Sequence, residues 1–548
     1  MKTAKQMVLG VLLSTGLTAV VGCSDNEATP TVLLRPVTTM VTEMNHVKLS
    51  WKAVQGATQY QVDIYRVTDG ANELYQSFTT SDTALALDLD WDESYQVKVK
   101  SLNNNVESAY WETDPITLIY PSIFGSTRSI DTQALVSWTP SDRFSISTLS
   151  AVAIDSLGNE TDKPLTFQVT DDEYASGQKI LSGLSPATTY KIAAYAGDVS
   201  LDNYRGRVLL ATTEAEDLRA EYGSNLIDLR EVPYDEDYFN TSVNWAELPE
   251  GSTFILPEGK SYVVNRGTVV ELTRSVHFIT PQTLGEYATF RFDNAFRVAE
   301  GMNVDRISFK RMNLQASKAL DKVTDTGMSG KQVICPEASS YQVNSILFTE
   351  CHIENFRAVV RSKAHAGNFG TITFKGCSLN AIGNQGIVST DGKRGVVTSV
   401  SMDDCTVTNS CGIADLRNAE SSTEGVSLTN CTFCYTPADG SFLFRVAYNI
   451  PVQIENCVFG ASMKLNGKQP LFNQIGSGAQ DDYTGNHPFS PINSYKTSDQ
   501  VSTKGNLELS GANMDTNTLF QAPADSNFKL NNTFPGCSST GDSKWRVL

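Results

Sequence analysis

From residue 31 onward the chain is written in short alternations. "VKLSW" (47–51), "YQVDIYR" (60–66) and "YQVKVKSL" (95–102) each put apolar and polar residues on opposite faces of an extended strand. Turn residues separate these runs and helix-period segments are scarce, so the pattern predicts an all-β chain. Residues 31–118 and 119–215 repeat one grammar. An early strand ends in Trp51 or Trp138, and Leu89 and Leu184 each stand six residues before a tyrosine, Tyr95 and Tyr190. A buried tryptophan on an early strand and a late corner tyrosine predict two Ig-like sandwiches.

The C-terminal half alternates differently. "RISFKRMNL" (306–314), "SILFTECHI" (345–353), "TITFKGCSL" (371–379), "SVSMDDCTV" (399–407), "GVSLTNCTF" (425–433) and "PVQIENCVF" (451–459) share four apolar columns. They run from Ile307, Phe309, Met312 and Leu314 to Val452, Ile454, Cys457 and Phe459. The third column holds Cys351, Cys377, Cys405, Cys431 and Cys457, at spacings of 26, 28, 26 and 26 residues. Such a period means stacked units, too short for propeller blades and too alternating for helical repeats. A coil of parallel strands fits, with like residues stacking about 4.8 Å apart. Cysteine is small and readily buried, so the five should form an inward packing ladder rather than disulfides or a zinc site. "CTFC" (431–434) is a C-x-x-C without a second pair, and Cys335, Cys411 and Cys537 have no assigned role.

The first grammar resembles fibronectin type III modules, over about a third of the chain. Neither copy shows a cell-adhesion tripeptide, and a spacer role and ligand binding through loops both stay open. The repeats from 225 to 548 resemble the right-handed parallel β-helix of the pectin-lyase type. "LPEGSTFILPEGKSYVV" (248–264) and the closing "GDSKWRV" (541–547) resemble segments of Bacteroidetes β-helix lipoproteins of uncharacterised function, with Ser543 where those usually carry proline. That resemblance implies a polysaccharide-utilisation system, and partners among outer-membrane glycan transporter components.

The N-terminus fits it. Lys2 and Lys5 precede the short apolar "MVLGVLLSTGLTAVVG" (7–22), and "VVGC" (20–23) resembles a lipobox. Residues 1–22 are read as a lipoprotein signal peptide, Cys23 as the lipidated residue and 23–30 as a tether. "SDNE" (24–27) resembles a surface-export tag, which implies an outer-membrane lipoprotein facing outward.

Length and charge narrow the function. A chain of 548 residues is too long for one core. A formal charge of −18 argues against nucleic acid and requires a local basic patch for any acidic ligand. The strands after each cysteine corner are the place to look: "AVVRSK" (358–363), "GIVSTD" (386–391), "GIADLRN" (412–418) and "SFLFRV" (441–446). Stacked, they would gather Arg361, Lys363, Thr390, Asp391, Asp415, Arg417 and Arg445 on one face, flanked by Arg357, His365, Lys393 and Arg394, either as a sugar or uronate site or as a solvated outer face with ordinary cross-rung ion pairs. Guanidinium forks suit uronate carboxylates.

Catalytic signatures are weak. Asp403 and Asp404 resemble the paired carboxylates of polygalacturonases, but that family's Gly-His-Gly and Arg-Ile-Lys motifs are missing. His277 and His352 sit in strand patterns and read as structural, whereas His365 and His487 lie in loops. Tyr483, Phe489 and Tyr495, in the polar stretch 476–505, either stack on sugars or anchor a loop. No cofactor is expected, calcium being the one cation an acidic-glycan site could recruit. Three readings stay open: a surface lipoprotein binding a polysaccharide along the β-helix, a uronate lyase using Arg361, Lys363, Arg417 or Arg445, and a structural or adhesive surface protein.

Overall fold

The computed structural model describes residues 32–547 apart from 44, 69–70, 105, 121–122, 142–144, 201, 268, 319–330, 364–365, 391–394, 417–423, 439–440, 448–449, 465–473, 476–488 and 501–508. Cys23 and the N-terminal signal lie outside the described residues. By contact the chain divides into two compact units. One runs up to Gly125 and includes Trp138–Gly177 and Tyr190–Leu209; the other holds Ser126–Ser137, Gln178–Thr189 and everything from Leu210.

The first grammar folds as an antiparallel sandwich. Thr38–Glu43, His46–Trp51 and Ala84–Asp88 form one sheet, and Ala71–Thr80, Gln59–Thr68, Ser94–Asn103 and Val106–Glu107 follow one another in the other. In module order these are strands one, two and five against four, three, six and seven. Ser94–Asn103 buries every second residue, as its alternation demands. Tyr95 and Leu89 are both buried in that core.

The second copy repeats the same orders. Phe124–Ser129, Gln133–Trp138 and Gln178–Ser182 form one sheet, and Leu165–Gln168, Thr148–Ala153, Thr189–Tyr195 and Tyr204–Ala211 the other. Both copies therefore have the fibronectin-like strand arrangement.

The rest of the chain is a parallel β-helix. Its first sheet has ten strands, from Leu226–Asp228 through Ser340–Thr349 and Ala366–Lys375 to Phe489–Ile492. Its second also has ten, from Ser261–Val264 through His352–Glu354 and Ser378–Asn380 to Ser510–Gly511. The third runs Val360–Arg361, Val388–Ser389, Ala414–Leu416, Phe442–Val446, Gln474–Ile475. Bridges through Ile334 extend it back to Phe296.

Register explains the columns. Phe278, Phe309, Phe348 and Phe374 follow one another in adjacent strands and stack face to face, Phe348 lying 5.2 Å from Phe309 and 4.8 Å from Phe374. Burying each such ring stabilises the coil by about 1.5–3 kcal/mol. Phe239, on the short helix Tyr238–Thr241, packs on Phe254, Tyr262, Phe278 and Phe290 at the first turns.

The five ladder cysteines are fully buried, and every cysteine among the described residues is a free thiol. Each Sγ lies near the carbonyl two residues back and a second one in the preceding rung. For Cys377 these are Lys375 and Phe348, both at 3.4 Å. For Cys431 they are Thr429 at 3.1 Å and Met402 at 3.6 Å.

The residue before each is left-handed: Glu350, Gly376, Asp404, Asn430 and Asn456 have φ between 52° and 62°. Asn and Asp tolerate that conformation best among residues with a side chain. The column continues past the cysteines. Asn493 has φ 44°, and Ser494 Oγ donates to Ile492 O at 2.8 Å and accepts from Cys457 N at 3.0 Å. The expected loop 476–505 is thus interrupted by a further turn of the coil, hidden in the sequence because serine replaces cysteine.

Candidate functional site

The third sheet gathers the charged residues that the alternation pointed to. Phe296, Ile334, Val360, Val388, Ala414 and Phe444 are successive register partners facing the core. The next residue of each rung forms a second column: Arg297, Cys335, Arg361, Ser389, Asp415, Arg445. Two positions beyond Cys335 and Arg361 stand Glu337 and Lys363.

Within this strip Glu337 accepts from Arg297 Nη2 at 2.6 Å and is also paired with Lys363 Nζ. The Lys363 hydrogen bond first, then the charges of Lys363, Arg297 and Arg361, hold the Glu337 carboxyl below its usual range against the effect of burial. Arg445 Nη1 lies 3.7 Å from Asp415 Oδ2, and its guanidinium sits 4.8 Å over the Phe442 ring.

Arg361 and Ser389 are buried mid-column, whereas the side chains of Arg297 and Arg445 are 34% and 38% exposed. A recess of about 260 Å³ opens beside Arg445, lined by Asn384, Gln385, Asp415, Ser441 and Phe442. Gly412 forms part of its wall, where a Cβ would come within 2.1 Å of the Phe442 carbonyl oxygen.

Four cations (Arg297, Arg361, Lys363, Arg445) thus face two carboxylates (Glu337, Asp415) among the described residues of the strip, an excess of two positive charges. Cys335 lies between Arg297 and Arg361, yet burial pushes its thiol up to about 11. It is a protonated thiol at neutral pH, not a nucleophile.

The structure brings Arg361, Asp415 and Arg445 into one column and places Lys363 beside it. Arg357 lies at its edge, where Nε donates to Asn384 Oδ1 at 3.1 Å. Asp391, Arg417, His365, Lys393 and Arg394 lie outside the described residues, as do His487 and Tyr483. Arg297 and Glu337 were missed by sequence reasoning, because the long segment between residues 316 and 340 breaks the period before the cysteine ladder starts.

The other candidates have structural positions. Asp403 accepts from Asn430 Nδ2 at 3.1 Å and Asp404 binds the C-terminal segment, so each holds a neighbouring turn. His277 is buried, with Nδ1 2.7 Å from Ser308 Oγ. His352 is not enclosed in the core: it faces outward on the second sheet, its ring stacked 5.5 Å from Tyr287. Tyr495 anchors its segment edge-on to Phe534 at 5.0 Å.

No family model matches the sequence, and no curated protein matches it. Among solved structures, a two-domain fibronectin type III segment of chicken tenascin is similar at 16% identity, covering 32% of this chain and 98% of that one with a TM-score of 0.17. The FN1–FN3 domains of chicken CNTN1 are similar at 16% identity, covering 34% of this chain and 70% of that one with a TM-score of 0.15. The chicken interferon gamma receptor alpha chain gives 18% identity, 34% and 100% coverage and a TM-score of 0.15. Likeness at that level carries no weight for function, and the sandwich assignment rests on the strand orders above.

Proposed function

We propose that this is a surface-anchored protein that captures an acidic polysaccharide along the third sheet of its β-helix. The observation that carries the reading is the cationic strip of Arg297, Arg361, Lys363 and Arg445 in a chain whose formal charge is −18. A polyanion is repelled by the molecule as a whole and would be held where cations outnumber carboxylates. Rungs repeating at about 4.8 Å offer a periodic ligand a periodic surface. In this reading a lipid on Cys23 tethers the chain to the outer membrane, the sandwiches act as a stalk, and glycan transporter components receive the captured chain.

The test uses the protein from residue 24 onward with pectins, alginate, glycosaminoglycans and neutral plant glycans, with and without calcium. Retention on native affinity gels and near-ultraviolet absorbance of unsaturated uronate are read from the same samples. Retention of an acidic glycan, weakened in Arg297→Ala and Arg445→Ala, supports the proposal. Unsaturated product would replace it with a lyase, and no retention of any acidic glycan would leave the adhesive reading.

A further inference from the structure

The second sheet turns two polar columns outward. Thr289, Asn313, His352 and Ser378 occupy one, and Arg291, Gln315, Glu354 and Asn380 the other, in four successive rungs. Further along the coil the same face is covered. Thr406 Oγ1 lies 2.5 Å from Asp542 Oδ2 and 2.7 Å from Trp545 Nε1, and Thr432 Oγ1 accepts from Asp542 N at 2.9 Å. Where that cover stops, Lys544 Nζ reaches Ser378 Oγ at 3.0 Å. The opposite wall is the loop at 283–287. Gln133 Oε1 accepts from Leu284 N at 2.6 Å and from Thr283 Oγ1 at 3.2 Å, which pins the loop in place. Between that loop and Ser378, with Lys544 just beyond, lies a groove of about 590 Å³.

We propose that this groove is a second binding site, for a neutral, hydroxyl-rich glycan segment. Its floor is built from groups that both donate and accept, as sugar hydroxyls do. The amides are held by one end. Asn313 Nδ2 donates to Tyr287 O at 3.0 Å, Gln315 Nε2 to Glu354 Oε1 at 2.8 Å, and Asn380 Oδ1 accepts from Thr408 Oγ1 at 3.1 Å and Asn409 Nδ2 at 3.0 Å. Asn313 Oδ1, Gln315 Oε1 and Asn380 Nδ2 have no partner among the described residues, leaving two acceptors on one rung and a donor two rungs on.

Tyr287, stacked on His352, supplies an aromatic face of the kind that packs on a pyranose ring. Partial enclosure among the neighbouring groups of the groove, and then the charge of Lys544, push the His352 imidazole below its ordinary value, which favours the neutral ring that can both donate and accept. The charged groups of the lining are Arg128, Glu286 and Glu354, and Lys544 stands at its margin, two cations against two carboxylates with no cation excess. That balance disfavours the polyanion assigned to the third sheet and separates the two sites chemically.

Isothermal titration of the protein from residue 24 onward, with hexasaccharides of β-linked glucose, xylose, mannose and galactose, tests this. At least one should bind with a Kd of about 1 mM or tighter. Binding should persist at high ionic strength, since it uses no net charge. Tyr287→Ala, Gln315→Ala and Asn380→Ala should each weaken it about fivefold or more, the equivalent of one lost hydrogen bond or ring contact. Arg445→Ala should leave it unchanged, which keeps this result independent of the acidic-glycan reading. Bound sugar should also slow amide exchange at residues 352–354 and 378–380 of the unmutated protein. Absence of binding by all four hexasaccharides would overturn the proposal. So would binding that survives all three groove variants with unchanged thermal unfolding, or protection that maps elsewhere.

Discussion

Ser543 donates twice to Asp404, its backbone N–H to Oδ1 at 2.6 Å and its hydroxyl to Oδ2 at 2.7 Å. The aspartate stands at a left-handed corner of the coil, and the serine opens the last helical turn of the chain. Proline at 543 would remove both donors. Ser543→Pro should therefore lower the local opening free energy of residues 541–547 by about 1–3 kcal/mol, and Ser543→Ala by less. Amide exchange of that segment measures the difference, and equal protection in both variants would refute it.

The cysteine ladder should be chemically silent. Burial raises the thiols of Cys377, Cys405 and Cys431 well above their ordinary value. Of the cysteines described, only Cys537 is partly exposed. A thiol-specific disulfide reagent should modify Cys537 rapidly in the folded protein and the ladder only after denaturant is added.

Size matters more than sulfur in that column, because Ser494 already fills an equivalent place. Cys405→Ser should cost about 1–2 kcal/mol, whereas Cys405→Leu should cost more by overpacking the corner. Urea unfolding midpoints should rank the variants in that order.

Mild acid should weaken the coil through His277. Burial first and the Arg306 charge second push its imidazole down to about 4 from an ordinary 6.5. Between those values the unfolded chain binds the extra proton, so stability is complete above about pH 6.5 and falls toward pH 4, by about 3 kcal/mol. His277→Gln should flatten this part of the curve. A second loss comes lower. The two oxygens of Glu216 take Arg311 Nη2 at 2.5 and 2.6 Å, which holds its carboxyl below 4.5 although burial opposes it. That pair contributes above pH 4.5 and fails as the pH drops through its depressed value.

Removing a ring from the aromatic stack should cost more than any surface change. Phe348 is flanked on both sides by parallel rings, and Phe348→Ala leaves a void that two rungs must close, at about 3–5 kcal/mol. Phe348→Leu should recover much of it, as Leu428 in the same column indicates.

The coil was legible where six of its turns write the same four columns, and the cysteine column followed from its spacing. The third-sheet column was legible in part: Arg361, Asp415 and Arg445 come from strands that follow a cysteine corner. Arg297 and Glu337 lie before the ladder and carry no such marker. The second-sheet groove left almost no trace. Its floor strands are as short as three residues, "HIE" and "SLN", too brief to show a period. Its lining is held by Gln133, bonded to Leu284, and by Lys544, bonded to Ser378, residues hundreds apart in sequence that only the folded chain brings to one place. His352 looked structural because a histidine in a three-residue strand gives no sign of which face it takes.

The described turns of the coil are held against one another by hydrogen bonds and stacked side chains, with no disulfide between rungs among the described residues. Force applied along the coil would load those bonds in series. Pulled from its ends, the coil should yield one turn at a time. A repeat of 26 residues would then pay out roughly 90 Å of extended chain at each step, so the coil should lengthen under load in turn-sized increments.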